Sequence, residues 1–184
     1  MRKLIFSINM TLDGFCDHTA VIADEELHQN ANELLKSIDI ILFGRVTYQL
    51  MESSWPPIVK KPTGTKFIDE FAVLIDNISK LVFSNTLKKV EWKNTRLAKK
   101  DIKTEVLKLK QQPGKDILVG SPSLLIQLMH LELIDEYRFC VHPIILGKGL
   151  ALFNNIRDRI NLNLIEIRPL ASGAATLYYA PVKK

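Results

Sequence analysis

The chain has 184 residues and a mass of 21.0 kDa, which is the size of one protein domain. Hydrophobic residues make up 47% and charged residues 24%, which excludes a disordered chain, a collagen-like repeat and a disulfide scaffold. The net charge of +5 suits an anionic ligand. The basic residues form no long block and are not interleaved with aromatic residues, which argues against a nucleic-acid partner. We therefore expect a single domain over residues 1–184 that binds a small molecule.

Cysteine and histidine usage points to neither disulfides nor a metal. Cys16 and Cys140 are far apart in the sequence, and the histidines show no zinc-ligand spacing. The apolar run at residues 4–8 is too short for a signal peptide, and no stretch is long enough to span a membrane. We expect a cytoplasmic protein with two reduced thiols, no metal and no membrane association.

Strand and helix patterns alternate through the first two thirds of the sequence. Short apolar runs predict strands over residues 4–10, 38–43, 81–83 and 117–119. Helical spacing of apolar residues predicts helices over residues 46–52, 67–75 and 101–110, one that Asp24 caps, and one that follows Ser121 and Pro122. Trp55-Pro56-Pro57 is expected to end the helix over residues 46–52.

The C-terminal third has a different pattern. Residues 136–141 and 174–179 read as strands, residues 143–149 as a loop and residues 171–173 as a turn. Apolar residues alternate with asparagines over residues 160–164, which is the period of a half-buried strand. An α/β start with an antiparallel hairpin finish predicts a mixed sheet flanked by helices.

Two strand-to-helix junctions carry glycine, and both are candidate phosphate sites. The first is Phe43-Gly44-Arg45-Val46-Thr47 and the second is Val119-Gly120-Ser121-Pro122-Ser123. Backbone N–H groups and the dipole at a helix N-terminus favour phosphate, and glycine lets it approach the backbone closely. The alternative is an ordinary turn that needs a glycine and a helix cap. No G-x-G-x-x-G pattern occurs, so a standard Rossmann site is not predicted.

Three further residues or segments have both a functional and a structural interpretation. Asp13 follows the first predicted strand, where it can orient or protonate a substrate or simply form an Asp-Gly turn. Gly147 and Gly149 permit a backbone nest for an anion or a flexible turn. Trp55 can stack on a planar ring, although a place in the core is favoured. No nucleophile elbow, HExxH or Walker A motif supports a hydrolase or a kinase.

The order and spacing of these motifs resemble the RibD C-terminal domain family of bacterial riboflavin-type reductases, within the dihydrofolate reductase-like superfamily. The matching residues are Ser7 with Thr11-Leu12-Asp13-Gly14, Gly44-Arg45-Val46-Thr47-Tyr48, Trp55-Pro56, Lys80-Leu81-Val82-Phe83-Ser84 with Thr86-Leu87, Gly120-Ser121, Asp135-Glu136-Tyr137, Pro143-Ile144-Ile145-Leu146-Gly147-Lys148-Gly149 and Leu152-Phe153. The resemblance covers nearly the whole chain. It implies a three-layer α/β fold, with a central mixed sheet flanked by helices and a C-terminal antiparallel hairpin.

The resemblance also implies a function. It is that of a reductase that transfers a hydride from NADPH to a small heterocycle, either 5-amino-6-(5-phosphoribosylamino)uracil-like or dihydrofolate- or pterin-like, and that pairs as a homodimer. Cofactor-binding residues by similarity are Gly44, Arg45 and Thr47 for phosphates, Ser84 and Asn85 near the 2′-phosphate, and Gly120, Ser121, Pro122 and Ser123 for the pyrophosphate. Asp13 is the candidate catalytic residue, and Trp55, Leu146 and Gly147 are the candidate substrate-binding residues.

Some features depart from the family pattern. Many relatives carry a basic residue where this chain has Asn85, which weakens the case for NADPH over NADH. Glu25 and Glu26 lie near the region where dihydrofolate reductases carry a helix carboxylate, and the zinc deaminase domain of full riboflavin enzymes has no counterpart in this sequence. A non-catalytic nucleotide- or ligand-binding module on the same fold is the alternative.

Overall fold

A computed structural model describes residues 1–19, 21, 23–154, 156 and 159–182. The strands in this part of the chain are β1 (Leu4–Thr11), β2 (Ile38–Gly44), β3 (Ser79–Phe83), β4 (Thr95–Leu97), β5 (Asp116–Val119), β6 (Glu136–His142), β7 (Leu162–Pro169) and β8 (Ala175–Pro181). The helices are α1 (Glu25–Ser37), α2 (Arg45–Lys60), α3 (Lys66–Asn77), α4 (Ile102–Gln111) and α5 (Pro122–His130). In this part of the chain, no helix is both long and apolar enough to cross a lipid bilayer.

The strands form one mixed sheet in the order β4-β3-β2-β5-β1-β6-β8-β7. The pairs from β4 across to β6 are all parallel, whereas β8 runs antiparallel to both β6 and β7. This arrangement confirms the predicted mixed sheet and C-terminal hairpin. It also places the carboxyl ends of β1, β2, β3 and β5 along one edge of the sheet.

Helices cover both faces of the parallel part of the sheet, because its strands are apolar on both sides. Leu4 and Phe6 of β1 pack into one core cluster with residues of α4 and α5. Ile5 points to the opposite face, into a second cluster with Leu35 of α1 and Ile75 of α3. The result is the predicted three-layer α/β fold.

Helix α2 differs from its prediction, because it continues to Lys60 through Pro56 and Pro57. Each proline removes a hydrogen bond to the preceding turn, which normally stops a helix. Here the Trp55 ring packs on Phe71 of α3 with ring centroids 4.4 Å apart, in the second core cluster. This tertiary contact holds the turn that contains the prolines and overrides the local preference.

The C-terminal strands also depart from expectation. The alternation at residues 160–164 predicted a half-buried strand, and Ile160 and Leu162 do pack, half-buried, against the first core cluster. Leu164, however, is 53% exposed, and Ile165 and Ile167 further along β7 are 57% and 55% exposed. An irregularity between Leu164 and Glu166 shifts the register against β8. Since β7 lies at the edge of the sheet, it has a neighbouring strand on one side only, and these apolar side chains are left largely exposed.

Buried cations lie at the opposite edge, where the parallel strands begin. Lys80 is 1% exposed, and its Nζ donates to the carbonyl oxygens of Asp76, Ile78 and Lys93 at 2.9–3.4 Å. Burial lowers the pKa of Lys80 to about 8, against the opposing effect of the Asp76 carboxylate. Lys110 is also buried, and it pairs with Asp135 at 2.5 Å. These groups close the sheet end that lies away from the candidate site.

Candidate functional site

The candidate site lies at the edge where the parallel strands end. Strands β3, β2, β5 and β1 are consecutive in the sheet, so Ser84, Gly44, Gly120 and Asp13 follow the ends of neighbouring strands. Ligands of open α/β sheets bind in a crevice outside these carboxyl ends. The topology therefore brings the two glycine junctions and Asp13 to one edge.

The two glycine junctions contact each other directly. The backbone N–H of Gly44 donates to Oγ of Ser121 at 2.9 Å, and Ser121 is fully buried. A Cβ atom added to Gly44 would overlap Oγ of Ser123. Glycine at position 44 therefore allows the start of α2 to pack closely against Ser123 at the start of α5.

This contact changes the role of Ser121. Ser121 is an N-cap candidate in the sequence, and it does occupy the N-cap position of α5, but its hydroxyl makes no cap hydrogen bond. Its Oγ accepts from Gly44 N–H across the sheet instead. The N-cap position is therefore as predicted, and the tertiary contact uses the hydroxyl oxygen.

The N-termini of α2 and α5 differ from those of α1 and α4. Asp24 caps α1 by accepting from Leu27 N–H at 2.8 Å, and Asp101 caps α4 by accepting from Thr104 N–H at 3.0 Å. Helices α2 and α5 have no side-chain cap, and neither has an acidic residue in its first turn. Both keep backbone N–H groups and a positive dipole end for an anion.

The other predicted phosphate residues lie around these two helix ends. Arg45 is exposed in the first turn of α2, and its Nη1 is 3.4 Å from Oε1 of Gln49. Thr47 follows in the same turn. Ser84 closes a turn after β3, where its Oγ accepts from the N–H groups of Thr86 and Leu87 at 3.1 and 3.0 Å. Asn85 is exposed in this turn.

Asp13 is held by three donors. Oδ1 accepts from the Thr11 hydroxyl at 2.6 Å, and Oδ2 accepts from Leu146 N–H at 3.0 Å and Gly147 N–H at 2.7 Å. The bond from Thr11, followed by the one from Gly147, lowers the pKa of Asp13 to about 2. The carboxylate is therefore ionised at neutral pH.

The sequence left a backbone nest and a flexible turn open at Gly147, and in the structure the N–H groups of Leu146 and Gly147 both donate to the Asp13 carboxylate. Gly147 has φ +76°, which favours glycine and turns its N–H toward the carboxylate. Backbone bonds from Leu12 N–H to Ile144 and from Cys16 N–H to Leu150, each 2.9 Å long, join the same two segments. We call this pairing of residues 11–16 with residues 144–152 the loop clamp.

Trp55 lies in the helix layer. Its ring contacts Phe71 and belongs to the core cluster beneath α2 and α3. Trp55 is half-buried and packs against that cluster, and its candidate role in substrate binding stays a prediction.

The sequence analysis missed a buried polar group beside the loop clamp. His142 ends β6 opposite Thr11 of β1 and is 1% exposed. Its Nε2 lies 3.3 Å from Oδ1 of Asn9 and 3.7 Å from Sγ of Cys140. Burial lowers the pKa of His142, and the carboxylate of Asp24 opposes this effect.

A signal for this group was present in β1. Leu4, Phe6, Ile8 and Met10 alternate with Ser7, Asn9 and Thr11, so one face of the strand turns polar toward its carboxyl end. A central parallel strand is normally apolar on both faces, and a polar face there marks a site rather than core.

The whole arrangement agrees with one protein family. The RibD C-terminal domain family matches residues 2–176. The chain belongs to this family. Similar Bacillus subtilis proteins are YyaP, 33% identical over 97% of this chain and 94% of YyaP, and YwjB, 24% identical over 89% of each chain. Both are named as uncharacterized proteins.

Solved structures show the same fold. A putative riboflavin biosynthesis protein from Shewanella has a TM-score of 0.76 at 19% identity, covering 98% of this chain and 99% of its own. The Thermotoga maritima diaminohydroxyphosphoribosylaminopyrimidine deaminase/5-amino-6-(5-phosphoribosylamino)uracil reductase has a TM-score of 0.68 at 17% identity, covering 98% of this chain and 57% of its own. The Saccharomyces riboflavin biosynthesis reductase Rib7 has a TM-score of 0.61 at 13% identity, covering 98% and 90%. The dihydrofolate reductase-like fold of the chain follows.

Proposed function

We propose that the chain is an NADPH-dependent reductase that transfers a hydride to a small heterocycle related to 5-amino-6-(5-phosphoribosylamino)uracil or to a dihydrofolate or pterin. The observation that carries this proposal is the pair of uncapped, acid-free helix N-termini that meet at Gly44 and Ser121. A dinucleotide has several phosphate groups, and two adjacent anion sites match that requirement.

The residues at this edge fit the cofactor. The N–H groups of α2 and α5 would bind phosphate oxygens, with Gly120, Ser121, Pro122 and Ser123 around the pyrophosphate and Arg45 and Thr47 beside them. Ser84 and Asn85 follow β3, on the side of β2 away from β5, where they would meet the 2′-phosphate. Asn85 carries no charge, so the preference for NADPH over NADH would rest on Arg45 and nearby lysines such as Lys88.

When bound, NADPH supplies the hydride, and this chain supplies position. Asp13 holds the Leu146-Gly147 loop against the end of β1, where the loop would border the substrate. Because the Asp13 carboxylate stays ionised and accepts three hydrogen bonds, its proposed role is to position this loop. The balancing proton would then come from another group or from solvent.

The engaged state of Asp13 also favours the second candidate function, a non-catalytic nucleotide- or ligand-binding module. If no other proton source faces the ring, binding would not lead to reduction. Consumption of NADPH with a substrate separates the two functions, because the module would bind the cofactor without oxidising it.

We further propose that the chain pairs with a second copy of itself through β7. The exposed Leu164, Ile165 and Ile167 lie on an edge strand, which leaves both apolar side chains and backbone groups open to a partner. The same strand carries Glu166 and Arg168, which are 3.2 Å apart. A two-fold contact requires a self-complementary surface, and a patch with both charges meets that condition.

Calorimetric titration with NADPH, NADH and NADP⁺ tests the cofactor proposal. We expect micromolar binding that prefers the 2′-phosphate, and Arg45→Ala should weaken NADPH binding by about 1–3 kcal/mol, the range for loss of a charge-assisted hydrogen bond. Lys60→Ala, at the other end of α2, is the matched control and should leave affinity unchanged. Equal affinity of Arg45→Ala and wild type would contradict the assigned phosphate site.

A further inference from the structure

Asn9 lies on the polar face of β1, between Ser7 and Thr11, close to the loop clamp. Its side chain is half-buried and its Oδ1 faces Nε2 of His142 at 3.3 Å. Within the described residues, Nδ2 of Asn9 takes part in no hydrogen bond, and it is not among the buried polar atoms that lack a partner. Nδ2 is therefore an open donor at the edge where the ligand would lie.

His142 fixes this orientation of the amide. Burial lowers the pKa of His142, so its imidazole is neutral at pH 7 and carries one N–H. Oδ1 is the Asn9 atom that faces Nε2, and the two form a hydrogen bond when the imidazole proton lies on Nε2. With its oxygen bonded to Nε2–H, the Asn9 amide must present its NH₂ group to the other side.

The immediate surroundings leave few other roles for the pair. Cys140 lies 3.7 Å from the same nitrogen, and burial raises the pKa of its thiol, so it is not an ionised nucleophile. Asp24, which acts on both Cys140 and His142, is committed to the cap of α1. The contact with Asn9 compensates the buried imidazole for its lost contact with water, and it leaves Nδ2 of the half-buried amide without a protein partner among the described residues.

We infer that Asn9 recognises the ring bound at this site by donating a hydrogen bond from Nδ2 to a carbonyl oxygen of the ring or its carboxamide. We infer also that His142 is the positioning residue that orients the Asn9 amide. This inference rests on the proposed function for the presence of a ring. A carbonyl oxygen is offered by two sources, the carboxamide of a nicotinamide and the lactam of a pyrimidine or pterin. Their shared chemistry is an amide-type acceptor.

Calorimetry with three probes tests the inference and separates the two sources. The probes are NADP⁺, adenosine 2′,5′-bisphosphate, which lacks the nicotinamide, and 5,6-diaminouracil, which carries lactam oxygens. Asn9→Ala should lower the affinity for one of the two carbonyl-bearing probes by about three- to tenfold, which corresponds to the loss of one neutral hydrogen bond. The affinity for the bisphosphate should stay unchanged. Gln111→Ala, at an exposed position at the C-terminal end of α4, is the control and should leave all three affinities unchanged.

The outcomes are distinct. A loss confined to NADP⁺ assigns Asn9 to the carboxamide, and a loss confined to diaminouracil assigns it to the substrate ring. Unchanged affinity for both overturns the inference. If the wild type binds neither NADP⁺ nor the bisphosphate, the proposed function fails, and the diaminouracil titration still decides the role of Asn9. Failure of the wild type to bind any probe overturns both.

The positioning role of His142 has its own test. His142→Gln keeps an N–H donor for Asn9, so its affinity for the probe that Asn9 contacts should stay within about twofold of the wild type. His142→Leu has no such donor and should lose as much affinity for that probe as Asn9→Ala does. Nitrogen NMR of labelled histidine should show the proton of His142 on Nε2, and the Asn9 side-chain amide signals should shift when the probe binds. If His142→Gln and His142→Leu bind the probe with equal affinity, or if the proton of His142 lies on Nδ1, His142 does not position Asn9. Should His142→Leu fail to fold, the NMR result decides.

Discussion

Asp13 shows how one carboxylate joins two loops at the end of a central strand. Its oxygens accept from Thr11, Leu146 and Gly147, and these bonds keep its pKa near 2. The residue types predicted a site at this position, and the geometry shows that the side chain is already engaged. Its proposed role is therefore the placement of the Leu146-Gly147 loop.

Substitution Asp13→Asn tests this role. An amide has one acceptor oxygen in place of two, so the bonds to Leu146 and Gly147 should weaken, and amide hydrogen exchange at both positions should become several-fold faster. Turnover should fall more than NADPH affinity, because the loop borders the substrate. Asp17→Asn is the control, since Asp17 bonds only to Thr19 among the described residues. An equal, small effect on turnover and affinity would reduce Asp13 to a turn residue.

The lowered pKa of buried Lys80 predicts how the free energy of unfolding changes with pH. Its pKa is about 8 in the folded chain and about 10.4 in an unfolded one, so between these values the unfolded state binds more protons. The free energy of unfolding contributed by this residue should therefore rise from pH 8 to pH 10. Urea denaturation of wild type and Lys80→Met over this range should show the rise only in the wild type. Lys103→Met, an exposed position on α4, should behave as the wild type; the same slope in Lys80→Met would contradict the assignment.

At the scale of elements, helices α2 and α5 begin beside each other without side-chain caps. Their close approach depends on glycine at position 44 and on the use of the Ser121 hydroxyl by the opposite junction. Uncapped N-termini forgo the roughly 1 kcal/mol that a cap contributes, and they remain available to an anion. Helix α3 also lacks a side-chain cap, but it carries Asp69 in its first turn, so among the described helices α2 and α5 are the ones whose N-termini are both uncapped and free of acidic residues.

A double substitution tests this packing. Gly44→Ala should destabilise the chain by about 1–3 kcal/mol, because the new methyl group overlaps Oγ of Ser123. Removing that oxygen in Gly44→Ala/Ser123→Ala should restore most of the loss, and Ser123→Ala alone is the control. Thermal or urea denaturation measures all three. A Gly44→Ala chain as stable as the wild type, or a double variant with no recovery, would show that the two junctions do not pack in this way.

On the scale of the whole molecule, the sheet has two unlike ends. Helices cover both faces from β2 to β1, whereas the β7 edge exposes Leu164, Ile165 and Ile167. Leu164 and Ile167 pair with Tyr179 and Leu177, so they share one face of the hairpin. A contiguous apolar strip at a sheet edge is a common interaction surface and an aggregation hazard when it stays open.

The homodimer proposal predicts that Leu164→Lys/Ile167→Lys is a monomer. Two charges in the strip would have to be buried at the contact, which is strongly unfavourable. Sedimentation velocity should show a dimer for the wild type and a monomer of unchanged fold for the double variant. Leu107→Lys, at an exposed position on α4, should remain dimeric. A wild-type monomer, or a double variant that stays dimeric, would exclude β7 as the interface.

The sequence by itself determined the strands and helices that have strong local patterns. Apolar runs located β1, β2, β3, β5 and β6, and the cap at Asp24 located the start of α1. Both signals lie within a few consecutive residues, so the sequence shows them without knowledge of the fold. The sequence did not predict β4, since its three residues Thr95–Leu97 carry little pattern. It also ended α2 too early, because the contact of Trp55 with Phe71 that sustains the helix lies outside the local segment.

The two glycine junctions and Asp13 were found from residue types, but their partners were not. Only the tertiary structure decided that Ser121 bonds to Gly44, that Leu146 and Gly147 bond to Asp13, and that His142 lies beside Asn9. Each of these contacts joins residues far apart in the chain, across neighbouring strands of the sheet. A local pattern records which groups are present, whereas strand order decides which of them meet, and that order is set by packing over the whole chain.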